Sequence, residues 1–434
     1  MKLLLIQPSH LDEKGEVYKT KKALMPSLTM PYIAALTPPE IEVEVIDDHV
    51  SDIDFNSNAD LVGITSIYTQ ISRAYQIADE FRKKGKKVIF GGFHATACSE
   101  EALEHCDCVV TGEAEYIWGT VLEDFKKGEL KRTYRAQTFH DLKNLPVPRF
   151  DLLRQDAYWL PFRPVQTSRG CPYTCEFCSV TQFYEGSYRV RPVEDVVRDV
   201  KAAGSKKIFF VDDNIIINRE YARKLFSSLI PLKIKWISQG NISIARDKEV
   251  IRLARQSGCV GLYIGLESVN YNSLKSVNKG FHKVAEYSEA ISTLKNEGIT
   301  PFLSMIFGFD CDDAGVFKDT LRFLQENKVP AVLLYILTPI PGTKLTQRLR
   351  AEGRIIEEKY NPEYFNSHDV LFKPKLLSPE DLKEGFWYVY EKFYSLSSII
   401  KRAFSSPLKN LYLLLLINFI IRKGVKKRMR PLSS

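Results

Sequence analysis

The sequence predicts an α/β protein made of two consecutive units, a parallel doubly wound sheet and then a partial (β/α)6 barrel, followed by a helical C-terminal extension. Three observations carry this expectation. Apolar strand patterns alternate with amphipathic helical ones from residue 1 to about 138. The alternation stops over residues 139–164, where Pro146, Pro148, Pro161 and Pro164 punctuate the chain. It resumes at Val165 as six βα repeats that run to about residue 345. Alternating β and α signals predict parallel sheets covered by helices, and 434 residues suffice for two or three cores.

Within residues 1–138, strands are expected at Lys2–Gln7, Glu42–Ile46, Asp60–Thr65, Lys87–Gly91 and Cys108–Thr111, with a strongly amphipathic helix near Ser72–Lys84. Ligands of such sheets sit outside the carboxyl ends of the strands. Those ends read Gln7-Pro-Ser-His10, Asp47-Asp-His49, Thr65-Ser-Ile-Tyr-Thr69, Gly91-Gly-Phe-His94 and Gly112-Glu-Ala-Glu115. Small and hydroxylated residues there let a large flat ligand approach the backbone. Cys98, Cys106 and Cys108 read as small buried hydrophobes, with Cys106 and Cys108 sharing one face at the start of a strand.

Residues 139–164 are expected to form an extended linker laid across the body, because Phe150, Leu152, Leu153, Tyr158, Trp159 and Phe162 favour burial. From Val165, strands are expected at Val165–Ser168, Lys207–Val211, Lys235–Ser238, Gly261–Gly265, Pro301–Phe307 and Ala331–Leu337. Helices are expected at Val193–Ala203, Arg219–Leu229, Lys248–Gln256, His282–Asn296 and Ala314–Asn327. A barrel of this kind works at the C-terminal ends of its strands, which carry Asp212-Asp-Asn214, Gln239-Gly-Asn241, Gly265-Leu-Glu-Ser268 and Thr338–Thr343. Residues 346–434 are mixed and then helical.

The first barrel strand runs into Cys171-Pro-Tyr-Thr-Cys175-Glu-Phe-Cys178. Three thiolates on one tight loop select a soft metal, zinc or an iron–sulfur cluster, and the scattered remaining cysteines fit a reducing cytoplasm. A structural zinc site closes with four ligands, yet no fourth Cys or His is near in sequence. Three ligands leave one iron of a 4Fe-4S cluster open for a small molecule.

The spacing Cys-x3-Cys-x2-Cys with Phe177 before the last cysteine resembles the radical S-adenosylmethionine (SAM) superfamily. That resemblance implies a 4Fe-4S cluster on Cys171, Cys175 and Cys178 whose open iron is chelated by SAM. It further implies SAM contacts from Phe177, Asp212, Asp213, Gln239, Asn241, Glu267 and Ser268, with Glu267 accepting from the ribose hydroxyls. Capping of the following helices is the alternative role for Asp212, Asp213 and Glu267. The strand ends of residues 1–138 resemble the cobalamin-binding, Rossmann-like domain that precedes the radical domain in one large class. By that resemblance Ser66, Thr69, Gly91, Gly92, Gly112 and Glu113 hold cobalamin. The segment Asp47-Asp-His-Val-Ser-Asp52 departs from the Asp-x-His-x-x-Gly pattern of domains that ligate cobalt through histidine, so His49 is not assigned as a ligand. Arg189 and Arg191, in a Tyr188-Arg-Val-Arg-Pro192 stretch similar to the same class, are expected either at the cofactor or at the surface.

Net charge of +8 is confined to one end. Residues 401–434 hold nine Lys/Arg and no Asp/Glu, leaving 52 basic against 53 acidic residues elsewhere; this excludes a broad nucleic-acid footprint. Leu411–Ile421 is an eleven-residue apolar run followed by basic residues, too short to cross a bilayer, which needs about 20. It suits either the face of an anionic membrane or a helix starting near Pro407 that packs on the barrel. With this tail the chain resembles the subgroup that includes hopanoid and other lipid C-methylases. The implied function is cleavage of SAM to a 5′-deoxyadenosyl radical and cobalamin-dependent methylation of an unactivated carbon on a hydrophobic substrate. An external one-electron reductant is implied, and a cytoplasmic or peripheral membrane location. A radical cyclase of the anaerobic tetrapyrrole type shares every motif; a methylthiotransferase and a plain electron carrier share fewer.

Overall fold

The computed structural model describes residues 1–12, 14–403 and 411–428. They divide into two compact units: residues 1–165 with 189–205, and residues 166–188 with those described from 206 onward.

In the first unit, β1 (Lys2–Gln7), β2 (Glu42–Asp47), β3 (Leu61–Thr65), β4 (Lys87–Gly91), β5 (Cys108–Thr111) and β6 (Thr133–Arg135) form one sheet in the order β2-β1-β3-β4-β5-β6. All its pairings are parallel. The order reverses at β1, so the ends of β1 and β3 flank the topological switch point where such sheets take ligands. Strand β1 has a continuous apolar centre because both its faces are covered. On one side Leu4, Ile6, Val62 and Ile64 meet α2 (Ile71–Lys83) through Ala74, Ile77, Ala78 and Phe81. On the other, Leu3, Leu5 and Ile89 meet α1 (Thr29–Leu36) and α5 (Trp118–Lys127). Between them in sequence lie α3 (Phe93–Ala97) and α4 (Ser99–His105).

Three expectations need correction here. Cys106 and Cys108 are buried in opposite cores rather than on one face; Cys106 precedes the strand, at the end of α4, so strand alternation does not govern it. Strand β6 carries only Tyr134 as a buried residue and gave no periodic signal. The linker holds short 3-10 turns at Phe150–Leu152 and Gln155–Ala157, and Trp159 is 53% exposed with the Lys22 ammonium over its ring. The unit ends in β7 (Arg163–Val165).

The strand expected at Val165–Ser168 is interrupted: β8 occupies Ser168–Gly170. The reason is Asp212, whose carboxylate takes the backbone N–H groups of Thr167 and Ser168 out of any ladder. After α6 (Ser179–Phe183) come β9 (Tyr188–Val190) and α7 (Val193–Ala202), which belongs with the first unit, where Arg198 donates to the Leu145 carbonyl at 2.7 Å. The second unit then carries β10 (Lys207–Phe210), β11 (Lys235–Gly240), β12 (Cys259–Glu267), β13 (Thr300–Phe307) and β14 (Ala331–Ile336), parallel and adjacent in chain order. Helices α8 (Arg219–Leu229), α9 (Lys248–Gln256), α10 (Tyr271–Ser276), α11 (Tyr287–Asn296) and α12 (Gly315–Glu326) alternate with them. The expected helix start at His282 is five residues early, because His282 is engaged by Asn241 and Tyr287 in a buried loop.

Beyond the barrel lie α13 (Lys344–Ala351), α14 (Pro379–Phe393), α15 (Leu396–Ala403) and α16 (Leu411–Lys426). Ser378 caps α14, with Pro379 at its first position. Tyr390 and Tyr394 from its end serve β14, the edge strand of the sheet: Tyr390 Oη accepts from Leu334 N–H, and Tyr394 Oη exchanges hydrogen bonds with Val332 N–H and C=O. Side-chain hydroxyls thus satisfy an edge that would otherwise invite another strand. The Arg402 guanidinium, buried, donates to the carbonyls of Pro330 and Phe393 and to Asn418 Oδ1, tying α15 and α16 to the barrel. The start expected near Pro407 lies outside the described residues. No described helix is long and apolar enough to cross a membrane.

Candidate cofactor and active site

The cysteine loop is built from β8 outward. Gly170 has φ +80, and a Cβ there would lie 2.0 Å from the Ser187 carbonyl oxygen, so only glycine delivers the chain to Cys171. Cys175 is buried and Cys171 and Cys178 are half-buried. Burial pushes the Cys171 thiol up to about 11 and Cys175 to about 12, and raises Cys178 as well. Mutual repulsion adds to the rise at Cys171 and Cys175, which marks the thiols as one electrostatic group. A positively charged metal centre reverses this by taking them as thiolates. The only group of His, Cys, Asp and Glu ligand atoms within 4.8 Å of one another among the described residues is elsewhere, at His94, Cys98 and Glu101.

Two contacts hold the loop between its second and third cysteines. Leu345 N–H donates to the Glu176 carbonyl at 2.9 Å, and Arg348 Nε to the Glu176 carboxylate at 3.1 Å, while Arg348 Nη1 also binds Asp310 at 2.8 Å. Helix α13, just past the barrel, is therefore part of the cluster's support.

The strand ends bring several expected residues to the same mouth. Asp212 is fully buried and saturated: besides the two N–H groups it accepts from Thr167 Oγ1 (2.9 Å) and Ser168 Oγ (2.7 Å). Burial nonetheless pushes it up to about 6. Asp213 accepts one bond, from Gly170 N–H at 3.2 Å, and burial followed by the Asp212 charge pushes it up to about 7. Its carboxylate, unlike that of Asp212, has capacity to spare. Asn241 accepts from Ser243 N–H and bonds His282 Nε2 at 2.9 Å. Gln239 shares its strand, and its backbone carbonyl accepts from Ile215 N–H. Ser268 Oγ accepts from Asn270 N–H, a local turn.

Glu267 is the most constrained residue of this end. It has φ +67, and the pairing of β12 with β13 slips by one residue between Gly265 and Glu267. That bulge turns its carboxylate onto Ser304 Oγ (2.9 Å) and onto the buried Lys279 ammonium (2.7 Å). A carboxylate at Glu267 therefore caps no helix. Lys279 was missed from sequence. Its charge acts on Cys171 and Cys175, and its Nζ stands 5.9 Å from the Phe177 ring centroid. Nothing in Val277-Asn-Lys279 separates this lysine from a surface one.

In the first unit the turn after β4 presses on the end of β3. Gly92 has φ +98, and a Cβ would lie 2.7 Å from Thr65 Oγ1 and 2.8 Å from the Ser66 carbonyl oxygen; Gly91 is in ordinary contact with Val110. The hydroxyls of Ser66, Thr69 and Ser72 are buried without hydrogen-bond partners in the structure. Unsatisfied buried hydroxyls are costly and uncommon, and these three, two between β3 and α2 and one in the first turn of α2, fit a polar ligand tail. Gly112 N–H donates to Thr96 Oγ1, and its Cα faces open space. Glu113 is engaged differently from expectation: Arg189 binds its carboxylate bidentately at 2.8 and 2.9 Å, joined by His140 N–H. Arg191 likewise pairs with buried Asp199 at 2.7 Å. Both arginines are thus held in ion pairs, Arg189 half-buried and Arg191 buried. His49 donates or accepts through Nδ1 with Asp47 at 2.9 Å, and its buried Nε2 has no partner.

One unit that is a parallel barrel with a three-cysteine loop at its first strand end, and another that is a doubly wound sheet with unpartnered buried hydroxyls near its switch point, together define a radical SAM protein with a B12-binding-type domain. Comparison with known proteins agrees. The Radical SAM superfamily model matches residues 165–324, the B12 binding domain model residues 20–122, and a domain of unknown function (DUF4070) residues 343–430. The chain is 30% identical to bacteriochlorophyllide d C-12(1)-methyltransferase of Chlorobaculum tepidum, over 98% of this chain and 94% of the relative. It is 31% identical to the C-8(2)-methyltransferase of the same organism, over 92% and 90%. The hopanoid C-2 methylase of Rhodopseudomonas palustris is 24% identical over 80% and 69%. Among solved structures, the radical SAM methyltransferase TsrM of Kitasatospora setae superposes with a TM-score of 0.68 at 15% identity, over 89% of this chain and 88% of that one, and shares the fold. The chain belongs to the cobalamin-dependent radical SAM methylases, enzymes that use a 4Fe-4S cluster, SAM and cobalamin.

Proposed function

We propose that this enzyme methylates an unactivated carbon of a large, flat, largely apolar substrate of the tetrapyrrole type. The observation that carries the reading is identity of 30–31% along nearly the whole length of two bacteriochlorophyllide methyltransferases, extension included. A polycyclic lipid, the substrate class of the more distant hopanoid relative, is the second expectation from the same chemistry.

When bound, the cluster with SAM supplies hydrogen-abstracting radical chemistry, and cobalamin supplies the methyl group. In this reading the chain's own residues bind and orient. Cys171, Cys175 and Cys178 hold the cluster, and α13 fixes their loop through Glu176. Asp213, with acceptor capacity to spare, receives the SAM amino group. Glu267, aimed by its bulge and held by Lys279 and Ser304, receives the ribose hydroxyls. Phe177 gives the loop an apolar wall, with Asp212, Gln239, Asn241 and Ser268 shaping the strand ends around it. Ser66 and Thr69 take the cobalamin tail, while Gly91, Gly92 and Gly112 let it approach the backbone. Excluding water protects a reactive intermediate and strengthens each of these bonds.

The test is anaerobic. The reconstituted holoenzyme with SAM, a low-potential one-electron reductant and a chlorophyllide is expected to form 5′-deoxyadenosine, S-adenosylhomocysteine and a product heavier by one methyl group. A product of unchanged carbon count would replace methylation by cyclisation, and failure to retain cobalamin would sink the reading. Cys175→Ala is expected to abolish cluster absorbance and SAM cleavage, and Glu267→Gln to weaken SAM binding about tenfold, the worth of one charge-assisted bond.

We further infer that the C-terminal helices touch an anionic membrane. Leu396, Ile400 and Phe419 are exposed by 49–53%, on helices that also expose Lys401, Lys423 and Lys426. Each basic residue adds roughly 1 kcal/mol near anionic lipid. Co-flotation with phosphatidylglycerol vesicles, lost on Ile400→Ser with Phe419→Ser, is the expected result; equal flotation with phosphatidylcholine alone, or none, overturns it.

A further inference from the structure

A second group of metal-ligand side chains lies in the first unit, away from the cysteine loop. His94, Cys98 and Glu101 each bring a ligand atom to one place, all three within 4.8 Å of one another. They come from one short stretch, His94-Ala-Thr-Ala-Cys98-Ser-Glu-Glu101, whose spacing of four and then three residues puts them on one side of a helical path. The path bends at the middle ligand. Cys98 ends α3 and precedes α4 with φ −129 and ψ 54, yet its N–H still donates to the His94 carbonyl at 2.8 Å and its carbonyl accepts from Ala102 N–H at 3.0 Å.

The distances suit an ion. His94 Nε2 and Glu101 Oε1 stand 3.2 Å apart, and the edge of a tetrahedron with zinc bonds to nitrogen and oxygen is about 3.3 Å. The carboxylate is already aimed: Tyr75 Oη donates to the same Oε1 at 2.8 Å. The Tyr75 ring in turn stacks on His105 with centroids 4.0 Å apart at 12°, and His105 bonds Asp79 at 3.0 Å. Outer partners of this kind orient metal-ligating carboxylates. His94 is buried, Cys98 is half-buried rather than wholly buried as its small apolar character suggested, and the Glu101 side chain is 41% exposed. An ion therefore reaches the thiol and the carboxylate from solvent, and a water can complete the set. One thiol, one imidazole and one carboxylate select zinc; magnesium and calcium want oxygen alone, and an iron–sulfur cluster wants thiolates.

We propose that His94, Cys98 and Glu101 bind one zinc ion, with water as the fourth ligand, as a structural clasp on the corner between α3 and α4. Binding takes the Cys98 thiol as a thiolate, its proton leaving to solvent, and the His94 ring in its neutral form; no electron moves. The clasp lies where strand ends of the first unit meet. His94 N–H donates to the Ser66 carbonyl at 3.4 Å, and Thr96, inside the ligand span, accepts from Gly112 N–H at 3.0 Å. An ion here stiffens the turn that Gly92 presses against Thr65 and Ser66. The site stands apart from the cluster, whose cysteines belong to the other unit, and it does not depend on which substrate the enzyme methylates.

The test is metal analysis of the full-length holoenzyme, reconstituted anaerobically with iron and sulfide, equilibrated with micromolar zinc and freed of loose metal by gel filtration. About one zinc per chain is expected beside the cluster iron, and its X-ray absorption is expected to show one sulfur at about 2.3 Å with nitrogen and oxygen at about 2.0–2.2 Å. Cys98→Ala is expected to lose the zinc and keep the iron. Tyr75→Phe, which retains the ring and removes the hydroxyl that aims Glu101, is expected to weaken zinc about tenfold against a chromophoric chelator. Unaltered protein without zinc, zinc surrounded by more than one sulfur, or zinc undiminished in Cys98→Ala overturns the site. Loss of iron together with zinc in Cys98→Ala overturns it as well, by giving that cysteine to the fold or to the cluster instead of a separate ion.

Discussion

At the residue scale, the buried charges of this chain are organised by pairing, and Asp48 shows the cost. Its carboxylate is wholly buried and accepts from Ser9 N–H, from Lys19 Nζ at 2.8 Å and from Arg73 Nε at 2.9 Å, gathering three segments of the first unit behind the ends of β1 and β2. Burial works to raise its pKa, but Arg73 and Lys19 outweigh burial and hold it below the usual 3.8. A lowered folded pKa means that the stabilisation is complete above the unfolded value and is lost as pH falls through the folded one. Asp48→Asn is therefore expected to cost about 3 kcal/mol at pH 7, since removing one partner strands the others. The difference should shrink as pH falls from 3.8 through the lowered folded value, read by urea unfolding across pH; a pH-independent difference would show that packing, not charge, is at stake. Glu267 and Lys279 make the same point at the barrel mouth, where a backbone bulge and one buried lysine determine what a carboxylate can reach.

At the element scale, α14 shows where local preference and packing disagree. Gly385 sits inside this 15-residue helix, where alanine is favoured by about 1 kcal/mol. A Cβ there would stand 2.3 Å from the ring of Phe317 on α12. Overpacking of that kind costs typically 1–3 kcal/mol, and a ring held against Phe307 has little freedom to retreat. Gly385→Ala is expected to be net destabilising by about 1 kcal/mol in thermal unfolding; a gain in stability would mean the two helices slide apart without loss. Helix α13 works the other way. Its amphipathic pattern reads as an ordinary surface helix, but Arg348 and the Leu345 N–H make it the clamp of the cluster loop.

At the scale of the whole molecule, chemistry and support come from distant parts of the chain. The cluster loop lies at residues 171–178, its clamp at 345–348 and the buried lysine that acts on two of its thiols at 279, and the edge of the barrel sheet is closed by tyrosines at 390 and 394. The extension matched by the DUF4070 model is accordingly structural for the barrel. Arg402 and Asn418 bind the Pro330 carbonyl from two different helices. A chain truncated before α14 is expected to lose the cooperative unfolding of the second unit, visible as a lower and broader transition, even though every cluster ligand is retained.

Sequence by itself determined the class of fold and the class of chemistry. Strand and helix periods, the run of strand ends, and three cysteines at fixed spacing are local signals, and a thiol loop needs only its own residues to declare a metal. Most strands and helices fell within a residue or two of expectation for the same reason: each buries its own periodic face. What failed was whatever depends on a partner far along the chain. The interruption at Thr167–Ser168 is imposed by Asp212, the pairing of Glu113 by Arg189, the orientation of Glu267 by a register slip against β13, and the role of Lys279 by proximity that no pattern encodes. The tail is the clearest case, since an apolar run with a basic end is compatible with lipid or with a core. Only the tertiary structure decided that its Asn418 reaches the Pro330 carbonyl beside the barrel, 88 residues away in sequence, and its Arg422 the Tyr394 carbonyl at the end of α14, because a buried polar group must find a partner and sequence pattern does not encode a distant one.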